Sequence, residues 1–299
     1  MRIFVALSFV LALAGCCTAP SISAPELVAP DDPRWAQLEA SQRELAGGDF
    51  ERALQVVDGV VAQLAPGGDP ALEAAARSLR GEVLTALGSF EDAIAELERA
   101  RALRLGLDDA EALLATTHAL ASALDYVGRY PEAEAMFRDV LERRRAREGA
   151  LSVEVARAAV NLGICLEFQG RAAESAQQLE EGVRVLEALD ARSDAAYDAA
   201  LNSLGNIRRA QGDVEGALAF FQRALVARER TLGPTHPSVA IVLHNIAIAQ
   251  MDLGRPADAL APIERALQLR RGALPPDHPW LVESEALHRD VLIASGRAP

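Results

Sequence analysis

Val242-Leu243-His244-Asn245-Ile246-Ala247, followed by Gly254 and then Ala259, is the stretch on which the fold turns. Apolar residues at helical spacing lead to a glycine, and a small residue stands five positions beyond it. The pairing recurs along the chain as Gly48 with Ala53, Gly88 with Ala93, Gly128 with Ala133, Gly170 with Ser175, Gly212 with Ala217, and Gly254 with Ala259. The glycines are spaced 40, 40, 42, 42 and 42 residues apart, and Gly296 lies 42 beyond the last. A fixed period of this length marks a chain of repeated supersecondary units.

Each register has a physical reading. The glycine permits the backbone reversal between two antiparallel helices. The small residue after it lets the second helix approach. Seven residues before each turn stands another small side chain, namely Ser41, Gly81, Ala121, Gly163, Gly205 and Ala247. Phe50, Phe90, Tyr130 and Val214 follow most turns by two residues, with Leu97, Phe137, Leu179, Phe221 and Ile263 further along. Leu120, Leu162, Leu204 and Ile246 recur in the first helix, so large and small positions alternate as an interdigitated stack requires.

This register resembles the tetratricopeptide repeat, a helical hairpin, and the longer period is similar to the kinesin light chain variety. The connector Leu232-Gly233-Pro234-Thr235-His236-Pro237-Ser238-Val239-Ala240 and its echo Leu274-Pro275-Pro276-Asp277-His278-Pro279 strengthen the likeness. In both, a proline at a helix start follows a residue able to cap it, which assigns His236 and His278 to turn chemistry. The resemblance covers Trp35 to Pro299 and implies an all-α solenoid of about six hairpins in a right-handed superhelix over residues 34–299. Trp280 to Ala294 is expected to close the last apolar face as a capping helix. Two places depart from the pattern. Gln37 is polar at a stacking position, and the Gly170 hairpin has Ala172 for an aromatic and Gly182 in its second helix, so these units are expected to pack more loosely.

Composition agrees with an all-helical chain. Of 299 residues half are apolar, aromatics are 4%, and alanine is abundant, which suits close helix packing better than a sheet. The net charge of -13 and pI near 4.9 repel phosphate backbones, so nucleic acid is not an expected partner. All thirty basic residues are arginine, a bias spread over the whole sequence. The three cysteines, Cys16, Cys17 and Cys165, make no disulfide framework, and Cys165 falls in an apolar helical stretch where a thiol acts as a small hydrophobe.

At the N-terminus Arg2 precedes an apolar run from Ile3 to Ala14, and Leu13-Ala14-Gly15-Cys16 puts small residues before a cysteine. This resembles a bacterial lipoprotein signal peptide over residues 1–15, too short to span a bilayer comfortably as a mature helix. The resemblance implies cleavage before Cys16 and a diacylglyceryl thioether on its sulfur, which with a further acyl chain anchors stably. An ordinary secretory signal is the alternative. Cys17 in place of aspartate after the lipidated residue favours outer-membrane delivery, facing the periplasm. Residues 16–33 read as the lipidated cysteine and a tether, in which Thr18 to Pro33, with Pro20, Pro25, Pro30 and Pro33, reaches roughly 50 Å at about 3.1 Å per residue.

The family's inner-face positions fall on His118, Ser122, Asp125, Arg157, Glu167, Asn202, Asn206, Arg209 and His244, the expected partner-binding groove. Asparagine suits an extended peptide backbone, since it offers one acceptor and two donors. Asn161 and Asn245 are offset by one position from Asn202, so which asparagines face the groove stays open, as does simple solvation of an exposed face. Phe168 and Tyr126 form either an apolar floor or part of the core between hairpins. There is no phosphate-cradling loop, H-E-x-x-H, nucleophile elbow or metal-ligand cluster, so neither enzyme activity nor a metal or cofactor is expected. The sequence thus points to an envelope-tethered scaffold for a protein or peptide, or alternatively to an assembly factor acting through its convex side or edges.

Overall fold

The computed structural model describes residues 32–297, and the signal, lipidation and tether assignments before Asp32 lie outside them. The described residues form thirteen α-helices in chain order: α1 (Pro33–Gly47), α2 (Phe50–Val61), α3 (Pro70–Ala86), α4 (Phe90–Arg104), α5 (Ala110–Tyr126), α6 (Tyr130–Glu148), α7 (Val153–Phe168), α8 (Ala172–Ala188), α9 (Ala195–Ala210), α10 (Val214–Leu232), α11 (Val239–Asp252), α12 (Pro256–Ala273) and α13 (Pro279–Ala294). This is the expected all-α array of six hairpins and a final helix. Two compact units divide it, one ending at Arg143 and the other beginning at Arg144. In the first, α3 packs on α4, α2, α1 and α5. In the second, α7 packs on α8 and α9, α9 on α10, α11 on α12, and α13 on α12 and α11.

The turns follow from residue identity. All seven turn glycines, Gly48 to Gly296, have φ between 69° and 87°, a region costly for any residue with a Cβ. The residue after each donates its N–H to a carbonyl five positions back, as Arg129 does to Leu124 at 2.9 Å and Asp213 to Arg208 at 3.0 Å. This closes the orphan carbonyls of the preceding helix. Helix starts are capped by short polar side chains: Asp32, Asp69, Asp109, Ser152 and Asp194 accept from backbone N–H groups of their first turns.

The small and large registers meet inside each hairpin. A Cβ added at Gly81 would lie 2.5 Å from Leu97 Cγ, and one at Gly163 2.7 Å from Leu179 Cγ. At Gly205 it would collide with the ring of Phe221, a side chain with no exposed surface. Ser41 is buried too, and its Oγ donates to the Ala53 carbonyl across the hairpin at 2.8 Å, as Ser175 Oγ does to the Gly163 carbonyl at 2.6 Å.

The hairpin expected to be loose is instead tight. A Cβ at Gly182 would run into Val160 Cγ2 and lie 3.1 Å from the Ala156 carbonyl, so glycine there brings α8 close to α7. Missing side chain in this case means shorter distance, with Val160 filling the space. Both histidine connectors are turns, but only the second has the expected proline at its helix start: His278 Nδ1 accepts from Trp280 N–H at 3.2 Å with Pro279 opening α13, whereas His236 Nδ1 accepts from Ser238 N–H at 3.2 Å and α11 begins at Val239, past Pro237. Cys165 is buried in α7.

Candidate functional site

Most groove candidates stand ten, six or three residues before a turn glycine, on the first helix of a hairpin. In the first unit, His118, Ser122 and Asp125 occupy successive turns of α5. The His118 ring meets Phe137 edge-on with centroids 5.6 Å apart, and Ser122 Oγ donates back to the His118 carbonyl at 3.1 Å. Asp125 is half-buried near the end of that helix. Tyr126 stacks on Phe90 of α4 at 4.9 Å, which places it between hairpins rather than in an apolar floor.

In the second unit these positions, and Arg157 thirteen residues before its turn, join one first helix to the next. Arg157 of α7 reaches Asp194, the cap of α9, with Nε at 3.0 Å and a terminal nitrogen at 2.6 Å, and meets Glu154 at 2.6 Å. Burial works against its charge, and Asp194 and Glu154 outweigh that, raising its pKa. Asn206 of α9 donates to Glu167 of α7 at 3.3 Å. Burial lifts Glu167 to about 7, against the smaller effects of hydrogen bonds from Ser203 and Asn206. Arg209 pairs with Asp252 of α11 at 2.6 Å, and both remain well exposed.

Asn202 and His244 sit deeper. Asn202 is 6% exposed and accepts a hydrogen bond from Asn245 at 2.9 Å, so the two offset asparagines form one bridge between α9 and α11. His244 is 5% exposed, with Nδ1 3.1 Å from Ser284 Oγ of α13. Burial, then the fields of Arg270 and Arg209, holds the imidazole neutral with a pKa of about 3. The Ser284–His244 contact has the composition of a nucleophile and its base. It is sealed, because Ser284 has no exposed surface and its Oγ also accepts from Arg270. In the second unit Asn202 and His244, ten residues before a turn, therefore bridge helices, and the more open groups are Asn206, Glu167, Arg209 and Asp252.

Sequence reasoning passed over two sets of residues. Buried Arg104, Arg144, Arg228 and Arg270 each lie sixteen residues past a turn glycine, a spacing visible in the sequence. Three of them tie the end of a second helix to the next first helix. Arg104 donates to the Ala112 carbonyl at 2.5 Å, Arg228 to that of Ser238 at 3.0 Å and Arg270 to that of Trp280 at 2.7 Å. Arg228 also pairs with buried Asp198. The second omission is Glu82, six residues before Gly88 and thus in the register of Ser122 and Asn206.

Among the described residues no group of three or more His, Cys, Asp or Glu side chains is arranged to hold a metal ion, and no helix is long and apolar enough to cross a membrane.

The sequence profile of the tetratricopeptide repeat family matches residues 72–146, 113–188 and 197–284, more than half of the chain. The chain belongs to the tetratricopeptide repeat family. No curated protein sequence matches it significantly. Among solved structures it is similar to BtubC (BKLC) from P. vanneervenii, at 19% identity and a TM-score of 0.58, covering 83% of this chain and 96% of that one. Kinesin light chain repeats from Podospora anserina align at 19% identity and a TM-score of 0.55, over 68% of this chain and 96% of theirs. A Rap protein in complex with competence and sporulation factor aligns at 13% identity and a TM-score of 0.72, over 88% and 71%. At these identities the likeness is one of fold, and the fold is a tetratricopeptide solenoid with kinesin light chain-like neighbours.

Proposed function

We propose that the chain is a non-catalytic scaffold, tethered to the bacterial cell envelope through a lipid on Cys16, that holds a protein or peptide against its first-helix faces. The observation that carries this is the repeat array itself: hairpins fill the described residues, and in the second unit the first helices α7, α9 and α11 bring polar side chains to one another near their C-terminal ends. Asn206, Glu167, Arg209 and Asp252 are these groups, with donors and acceptors that an extended backbone requires. The Rap structure, bound to competence and sporulation factor, supports the idea that this kind of fold accepts a partner. Residues 1–15 would be the signal and 16–33 the tether, placing the domain at the outer membrane on its periplasmic side.

The test is capture. The protein crosslinked in intact cells, beside Asn206→Ala and Arg209→Ala variants, should retain an envelope partner that the variants release. Capture of nothing by the wild type refutes the scaffold reading. A second reading, an assembly factor working through second helices or edges, is favoured by one observation: Asn202 and His244 are spent on helix bridging, while Val226 of α10 is 67% exposed. In that case the variants would capture the partner as well as the wild type does, and only loss of Cys16 would matter.

A further inference from the structure

Glu82 of α3 is a half-buried carboxyl with little to hold it. Ser78, one turn earlier on the same helix, brings its Oγ to 3.4 Å from Glu82 Oε1 and to 3.1 Å from Thr116 Oγ1 of α5. Glu96, a buried glutamate of the same unit, is treated differently. Glu96 draws in Arg77 at 2.9 Å, Arg80 at 3.3 Å and Arg99 at 3.4 Å. Among the described residues Glu82 forms no such ion pair. The cation acting on it, Arg104 of α4, has committed its guanidinium to the Ala112 carbonyl and reaches Glu82 only through its field. Burial outweighs that field and pushes Glu82 up to about 7.

Several charged groups on the other helices around α3 are engaged elsewhere. Asp58 of α2 holds Arg80 at 2.7 Å, Arg34 of α1 holds Asp32 and the Gln63 carbonyl, and Asp109 caps α5 within the field of Arg104. His118 of α5 lies against Phe137. A carboxyl partly withdrawn from water with one long hydrogen bond is costly, and that cost falls when a cation arrives at its open side. The chain's net charge of -13 favours the approach of cations.

We propose that Glu82 is the point at which the first unit recognises a guanidinium or ammonium group of the bound partner. This rests on the reading of the first-helix face as the docking surface, and it names a basic segment as what docks. Ion pairing at Glu82 favours its charged form, so partner binding releases a proton near neutral pH and tightens as pH rises.

The experiment uses the full chain in detergent micelles and a fluorescent, end-capped peptide of four Ala-Arg repeats, with an Ala-Gln peptide beside it. Anisotropy is read at pH 6 and pH 8. The arginine peptide should bind about fivefold more tightly at pH 8 than at pH 6, the gain that a linked pKa change of about one unit gives over this interval. Glu82→Gln should abolish that gain, whereas Glu98→Gln, on the exposed side of α4, should keep it. Unchanged helical circular dichroism confirms that the variant is folded. The inference is overturned if the arginine peptide fails to bind at pH 8, if the glutamine peptide binds equally well, or if Glu82→Gln behaves as the wild type. Loss of binding in Ser122→Ala, at the same register in the first unit, but not in Glu82→Gln would keep the docking face and reject Glu82.

Discussion

Replacing Phe221 by alanine should unlock the hairpin made by α9 and α10. The ring is fully buried and lies where a Cβ on Gly205 would sit, so the two positions form a single large-against-small fit. Truncation removes the ring from an environment without water and leaves a cavity that helix backbones close only in part. Such changes cost about 3–5 kcal/mol. Because a hairpin in a solenoid is stable only against its neighbours, the loss should also reach α11 and α12. Urea unfolding followed by circular dichroism at the helical minimum gives the midpoint, and the product of midpoint and slope gives the difference. Val226→Ala, on the same helix but well exposed, is the control and should change stability by less than about 0.5 kcal/mol. The small-against-large register is wrong if Phe221→Ala matches that control.

Glu167 makes stability depend on pH. Its folded pKa of about 7 lies above the ordinary 4.5, so its contribution is intact below the lower value and is lost as pH rises through the higher one. Glu167→Gln should equal the wild type at pH 4 and exceed it at pH 8 by on the order of 3 kcal/mol, from about 1.4 kcal/mol per unit; superimposable pH curves would refute this. Asp198→Ala strands the buried Arg228 and should cost about 3–5 kcal/mol in urea unfolding, while Asp198→Leu combined with Arg228→Met should recover most of it. An equal loss in the single and double variants would assign the effect to packing. Cys16→Ser should move the protein from the membrane pellet to the soluble fraction of lysed cells, and unchanged sedimentation would dismiss the lipid anchor.

The repeat was legible because it rests on constraints that single residues announce. A positive φ calls for glycine at Gly128 or Gly254, and a close approach calls for glycine, alanine or serine at Gly81, Ala121 or Ser41. Gly182 misled because a glycine within a helix reads as weakness, whereas its meaning depends on Val160, twenty-two residues earlier. The site was harder for the same reason at longer range. Nothing in Asn202 or His244 reveals that the partners are Asn245 and Ser284, each at least forty residues away, and a polar residue on a first helix looks the same whether it bridges helices or faces solvent. Glu82 was overlooked because a glutamate in a helix is ordinarily at the surface. Its burial is set by neighbours contributed by α4 and α5.

The guanidinium ties give the chain a particular evolutionary freedom. Arg228 and Arg270 each grip a carbonyl ten residues ahead, at Ser238 and Trp280. Excising residues 229–270 by unequal recombination would bring Arg228 into the place of Arg270, with Trp280 at the same reach. The spliced joint would inherit a matched donor and acceptor, and no desolvated charge would be orphaned. Lineages can therefore shorten or lengthen such an array by whole units without first inventing a new seam.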